Sequence, residues 1–173
     1  MDASRALALL LAASLDACSS GDAASTETID AGVTCSPSGL VVTAQGKPFP
    51  LQTSHFGVSV PDGELYLEAY RGAPDGCPTQ DSPTPEMTLV VAGIPRDLTT
   101  SIDKAAGLSV VLFDFNGALG EVPLIRATGA RLTPIAACRE GDTAFGYALE
   151  ASFPGATLSG EALATRCESL DAP

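Results

Sequence analysis

From residue 39 onward, apolar and polar positions alternate in short stretches or gather into short β-branched runs. Gly, Pro, Asn or Asp interrupts them every dozen residues or so. This is the pattern of many short strands. Residues 39–44 read as a first strand, stopped by Gln45-Gly46-Lys47-Pro48, and residues 54–60 as a second. Pro61-Asp62-Gly63 then turns the chain into residues 64–70, where Leu65, Leu67 and Ala69 share one face and Glu64, Tyr66, Glu68 and Tyr70 share the other. Residues 71–86 carry Gly72, Pro74, Gly76, Pro78, Pro83 and Pro85, a density that forbids regular ladders and marks a long loop.

Two continuous apolar strands follow at 87–92 and 108–115. Asn116-Gly117 predicts a tight hairpin because both residues accept positive φ. Its return strand is 118–125, which Pro123 assigns to a sheet edge. Residues 130–136 have strand character broken by Pro134. The alternation is plainest at 143–153, with Phe145, Tyr147, Leu149, Ala151 and Phe153 on one face. Pro154-Gly155 turns the chain into 157–167, with Leu163, Thr165 and Cys167 expected to face inward. The one helical candidate, 102–106, is too short to stand alone. The expectation is an all-β fold: a single antiparallel β-sandwich of about eight or nine short strands with two disulfides.

The amino-terminal stretch has a different pattern. Arg5 precedes the uncharged run 6–15, which ends in small residues ahead of Cys18, the three-part form of a secretory signal. The run falls well short of the ~20 residues a membrane-spanning helix needs. Leu15-Asp16-Ala17-Cys18 resembles the lipobox of bacterial lipoproteins, with Asp16 departing from the small or apolar residue usual there. The resemblance implies cleavage before Cys18 and acylation of its thiol by membrane lipid, palmitate included. Ser19 in place of Asp implies the outer membrane rather than the inner. The division expected is 1–17 signal peptide, 18–32 lipid-anchored flexible polar tether and 33–173 folded domain.

Cysteine content points the same way. Five cysteines are an odd number for an exported protein, and assigning Cys18 to lipid leaves Cys35, Cys77, Cys138 and Cys167 for two disulfides. Of the three possible pairings, the hairpin around Pro154-Gly155 favours Cys138–Cys167 with Cys35–Cys77. No Cys-x-x-Cys spacing occurs and His55 is the single histidine, so no metal site is assigned.

Charge narrows the partners. The net charge of −12 becomes −11 once Asp2, Arg5 and Asp16 leave with the signal. Nucleic acid is excluded as a partner because its affinity rests on clustered cations. Acylated Cys18 must therefore supply any membrane attachment.

Candidate chemistry is sparse, and no cofactor or catalytic residue is assigned. Ser54 and His55 are adjacent, but neighbours on a strand point to opposite faces, which bars a hydroxyl–imidazole pair. Asp75, Asp81 and Glu86, and separately Asp114 and Asn116, offer oxygen ligands of the kind calcium takes, set against solvated loop carboxylates. Tyr66 and Tyr70, read as an exposed stripe, form with the Pro-rich loop the candidate contact surface. The functional expectation is a non-enzymatic envelope protein acting by binding or surface structure; the alternative is a carbohydrate-binding or carbohydrate-hydrolysing protein.

Overall fold

The structure, a computed structural model, describes residues 35, 38–60, 62–73, 76–121 and 123–171. Cys18 and the residues expected to form the signal and the tether lie outside these residues. The strands are β1 (Val41–Ala44), β2 (Lys47–Pro50), β3 (Thr53–Val58), β4 (Leu65–Arg71), β5 (Met87–Ile94), β6 (Ile102–Asp103), β7 (Ser109–Asp114), β8 (Leu124–Arg126), β9 (Gly129–Glu140), β10 (Ala144–Phe153) and β11 (Ala156–Arg166). They join in one sheet ordered β6-β9-β10-β11-β3-β4-β5-β7-β8, with β1 and β2 branching from β11.

The fold is all-β, but one curled mixed sheet replaces the expected antiparallel sandwich. The branch explains why. β1 runs antiparallel along the start of β11, with Val41 opposite Ser159 and Ala44 opposite Ala156. The chain reverses at Gln45 and Gly46, whose φ values of 50° and 73° suit a tight hairpin turn, and returns as β2. Pro48 and Pro50 lack ladder donors and are tolerated because β2 pairs with β1 alone. At Leu51 and Gln52 the backbone passes from the Leu40 carbonyl to that of Tyr70. It continues as β3, where His55 and Phe56 pair with Thr165 and Arg166 in parallel. β1 is thus a wedge: β11 borders β1 at one end and β3 at the other.

The sheet curls until its two halves are tied by backbone. The Ala127 amide donates to the Val110 carbonyl of β7, and the next amide, Thr128, donates to Ser152 of β10. Lys104 Nζ caps the seam by donating to the Ala127 carbonyl at 2.7 Å. The concave side holds one hydrophobic core, including Leu40, Phe56, Leu67, Leu89, Leu112, Tyr147 and Leu149.

β10 buries the face its alternation predicts. β11 does not: Ala156, Leu158, Ala162 and Ala164 are buried, whereas Leu163 is intermediate and Thr165 exposed. Register gives the reason, since Phe145 lies opposite Ala164, Tyr147 opposite Ala162 and Leu149 opposite Gly160. Large residues of one strand fill the space left by small ones on the next. Gly160 is needed for a second reason, because a Cβ there would lie 2.2 Å from the Gly39 carbonyl oxygen.

Other expectations shift locally. The return strand shrinks to β8, still at a sheet edge, because β7 is followed by a longer loop at whose start Asp114 Oδ2 accepts from the Leu119 amide at 2.6 Å. Segment 102–106 becomes β6 plus a 3-10 turn, Lys104–Ala106. Pro134 sits inside a continuous β9, beyond the two residues that pair with β6.

The disulfides are Cys35–Cys138 and Cys77–Cys167, which corrects the expected pairing. β10 lies between β9 and β11, so Cys138 and Cys167 are two strand spacings apart, ~9–10 Å, beyond the reach of a cystine. Cys138 instead occupies an irregularity of β9 opposite Gly146 and ties down Cys35.

Candidate functional site

β4 carries Tyr66, Glu68 and Tyr70 at every second position, so all three stand on the face turned away from the core. Over Glu68 and Tyr70 lies the loop that leaves β4, described at residues 72–73 and 76–86. Its base is closed by the Glu86 amide donating to the Arg71 carbonyl and by an Arg71–Glu86 ion pair at 2.8 Å. The Gly72 amide donates to Gln52 Oε1 at 2.9 Å, and Thr79 and Ser82 form a local turn. Cys77 fastens the crossing portion to Cys167, just past the end of β11.

Between loop and sheet is a cleft of about 280 Å³. Glu68, Tyr70 and Thr88 of β5 line it from the sheet. The loop lines it at Ala73, Gly76, Pro78, Thr79 and Ser82 to Pro85, and Phe115 forms a further wall. Phe115 is 50% exposed and stacks on Phe113 with ring centroids 6.0 Å apart. An aromatic ring thus stands at the rim.

Glu68 organises the polar part. Tyr70 Oη donates to its carboxylate, and Tyr66 also hydrogen-bonds to it. Burial pushes both phenols well above their ordinary range, and the Glu68 charge and hydrogen bonds add to the shift. At neutral pH both tyrosines are therefore donors that clamp the carboxylate between them.

Tyr70 is not the exposed residue expected from sequence. It is 5% exposed because the loop covers it, and Tyr66 is half-buried. Of the two, Tyr70 lines the cleft.

His55 stands opposite Glu68 on β3. Its Nδ1 is 2.8 Å from Thr165 Oγ1, while Nε2 is buried without a hydrogen-bond partner. Burial lowers the imidazole pKa, and the Glu68 charge opposes that shift. Ser54 points the other way, into the core, where its hydroxyl and that of Tyr147 are 2.8 Å apart. The two residues lie on opposite faces, as strand geometry requires.

No protein-family model, curated protein or solved structure matches the chain. Function is therefore read from the chemistry of the cleft itself.

Two of the carboxylates considered for calcium have partners, though Asp114 Oδ1 is buried without one. Glu86 pairs with Arg71, Asp114 accepts from Leu119, and Asp81 is exposed; Asp75 is outside the described residues. Phe115 and Thr88 escaped sequence reasoning, as did the proximity of His55 to a cystine. Phe115 carried one usable signal: it ends an apolar strand immediately before Asn-Gly, where an aromatic is placed at a loop rim.

Proposed function

We propose that this chain is a lipid-anchored cell-envelope protein, held at the outer membrane, that acts by binding a ligand in the cleft beneath the 72–86 loop. The observation that carries the binding role is the cleft: a clamped carboxylate and a buried tyrosine beside a half-exposed aromatic wall, under a loop fixed at both ends. Concave sites with a few convergent polar groups are where small ligands seat. The anchoring role is supported by cysteine valence. Two disulfides use four of the five cysteines, and the fifth is Cys18, the residue on which the lipobox resemblance falls.

A carbohydrate is the second reading, supported by Phe115 as a stacking surface next to Thr88, Thr79 and Ser82 hydroxyls and Glu68. Among the described residues Glu68 is the one carboxylate lining the cleft, so binding is favoured over hydrolysis, which needs two.

Two measurements test these roles. Expressed in a bacterium, the chain should yield a membrane-extracted product beginning at Cys18 with added lipid mass, and Cys18→Ser should abolish that mass. Equal membrane attachment and unchanged mass in the variant would refute anchoring. On a glycan array, Cys18→Ser protein should show hits that Phe115→Ala and Glu68→Gln each remove. Hits indifferent to both changes place the ligand elsewhere, and an empty array removes the carbohydrate reading.

A further inference from the structure

The cluster beside the cleft brings together three residues far apart in sequence. One imidazole nitrogen of His55 and the Sγ atoms of Cys77 and Cys167 all lie within 4.8 Å of one another. In the structure the two sulfurs are bonded to each other. We propose that this cystine and His55 form a redox-gated zinc site: a staple when oxidised and a three-ligand Zn²⁺ centre when reduced.

Two independent observations point to a ligand. The first is the geometry, since a tetrahedral zinc site takes thiolate and imidazole ligands ~2.0–2.3 Å from the metal, which places the donors a few ångströms apart. The second is His55 Nε2, a nitrogen of a residue only 5% exposed that has no hydrogen-bond partner. If Nδ1–H donates to the Thr165 hydroxyl, the Nε2 lone pair is left for a metal. Metal-ligating histidines characteristically donate their other ring N–H in this way.

The chemistry balances with a dithiol reductant. Its thiolate attacks the exposed Cys77 sulfur, the S–S bond breaks, and Cys167 leaves as thiolate. The reductant's second thiol resolves the mixed disulfide, so the dithiol is oxidised to a disulfide and the two cysteines are reduced. Zn²⁺ then takes two thiolates and one neutral imidazole, and two thiol protons are released to solvent. Water fills the fourth position. Because Cys77 belongs to the loop that roofs the cleft, zinc would replace the cystine as the fastening of that roof.

The test uses the full chain carrying Cys18→Ser, reduced anaerobically with a phosphine and loaded with Zn²⁺ or Co²⁺. Iodoacetamide alkylation followed by peptide mass mapping should show Cys77 and Cys167 protected at least tenfold by Zn²⁺ relative to Cys35 and Cys138. Co²⁺ should give one thiolate-to-metal charge-transfer band per chain. His55→Gln should weaken binding at least tenfold, and the oxidised chain should bind no metal here. If reduction alone erases the β signal in circular dichroism, one equivalent of Zn²⁺ should restore it. Equal protection of all four cysteines, no protection, failure to restore structure, or a His55→Gln variant that binds as well would each overturn the proposal.

Discussion

Raising the pH tests the burial of the tyrosines directly. The chain has three tyrosines and no tryptophan, so its tyrosinate absorbance is uncontaminated. Burial in the core pushes Tyr147 up to about 12, against an opposing hydrogen bond with Ser54. Burial and Glu68 push Tyr66 and Tyr70 up as well. At pH 11 an unperturbed tyrosine, with a pKa of about 10, is about nine-tenths ionised, whereas one at about 12 is about one-tenth ionised. The unfolded chain should therefore carry ~2.7 tyrosinates at pH 11 and the folded chain ~0.3 or fewer.

The same shift acts on stability. The fold retains the phenolic proton of Tyr147 while the unfolded chain releases it above pH 10, so folding weakens as pH rises. The contribution is fully present below pH 10 and is lost between pH 10 and 12. It amounts to about 3 kcal/mol for Tyr147 alone, at about 1.4 kcal/mol per pH unit. The assay records tyrosinate absorbance and far-ultraviolet circular dichroism together at each pH. Cooperative appearance of tyrosinate as the β signal collapses supports the burial described. Tyrosinate forming with a midpoint near 10 while the β signal stays native would refute it. Ser54→Ala should push Tyr147 higher still and cost ~1–3 kcal/mol by stranding a buried hydroxyl.

Gly57→Ala would place a Cβ 2.2 Å from the Leu170 carbonyl oxygen, forcing the 3-10 turn Glu168–Leu170 off β3. A loss of ~1–3 kcal/mol in denaturant titration is expected, whereas Gly76→Ala, with nothing within 4 Å, should be silent. Replacing Cys77 and Cys167 by Ala opens a loop of 90 residues, for which the chain-entropy relation gives ~4.6 kcal/mol, readable as a lower urea midpoint. Arg166 and the Val58 amide hold the Asp171 carboxyl below its ordinary value of 3.8. That tie is present above pH 3.8 and is lost as pH falls through the lowered value, so the protection factor of the Val58 amide, its exchange relative to the intrinsic rate at each pH, should fall in acid.

The strand character of this chain was legible where one strand declares its own face. β10 is such a case, since its aromatic and aliphatic residues occupy every second position. β11 hides its inward face from pattern reading because alanines make up most of it, with Leu158 the one large residue. Alanine reports burial only when its partner across the sheet is known, and Tyr147 opposite Ala162 is a fact of register. The disulfides failed to emerge for the same reason at larger scale. Sequence proximity put Cys138 with Cys167, but sheet order inserts β10 between them and brings the loop of Cys77 to the end of β11. The Tyr66, Glu68 and Tyr70 row was readable from alternation. The loop that buries Tyr70 could be located but not folded, because prolines define where ladders stop and not where the chain goes next.

The order of the bonded cysteines, 35 with 138 and 77 with 167, means that the two bridges interlace. A single backbone cut between residues 35 and 138 falls inside the first bridged loop, and one between 77 and 167 falls inside the second. Any one protease nick from 35 to 167 therefore leaves two fragments joined by at least one bridge. The exposed roof of the cleft can be clipped once without shedding either half, and on a non-reducing gel the nicked chain should run as one molecule until thiol is added.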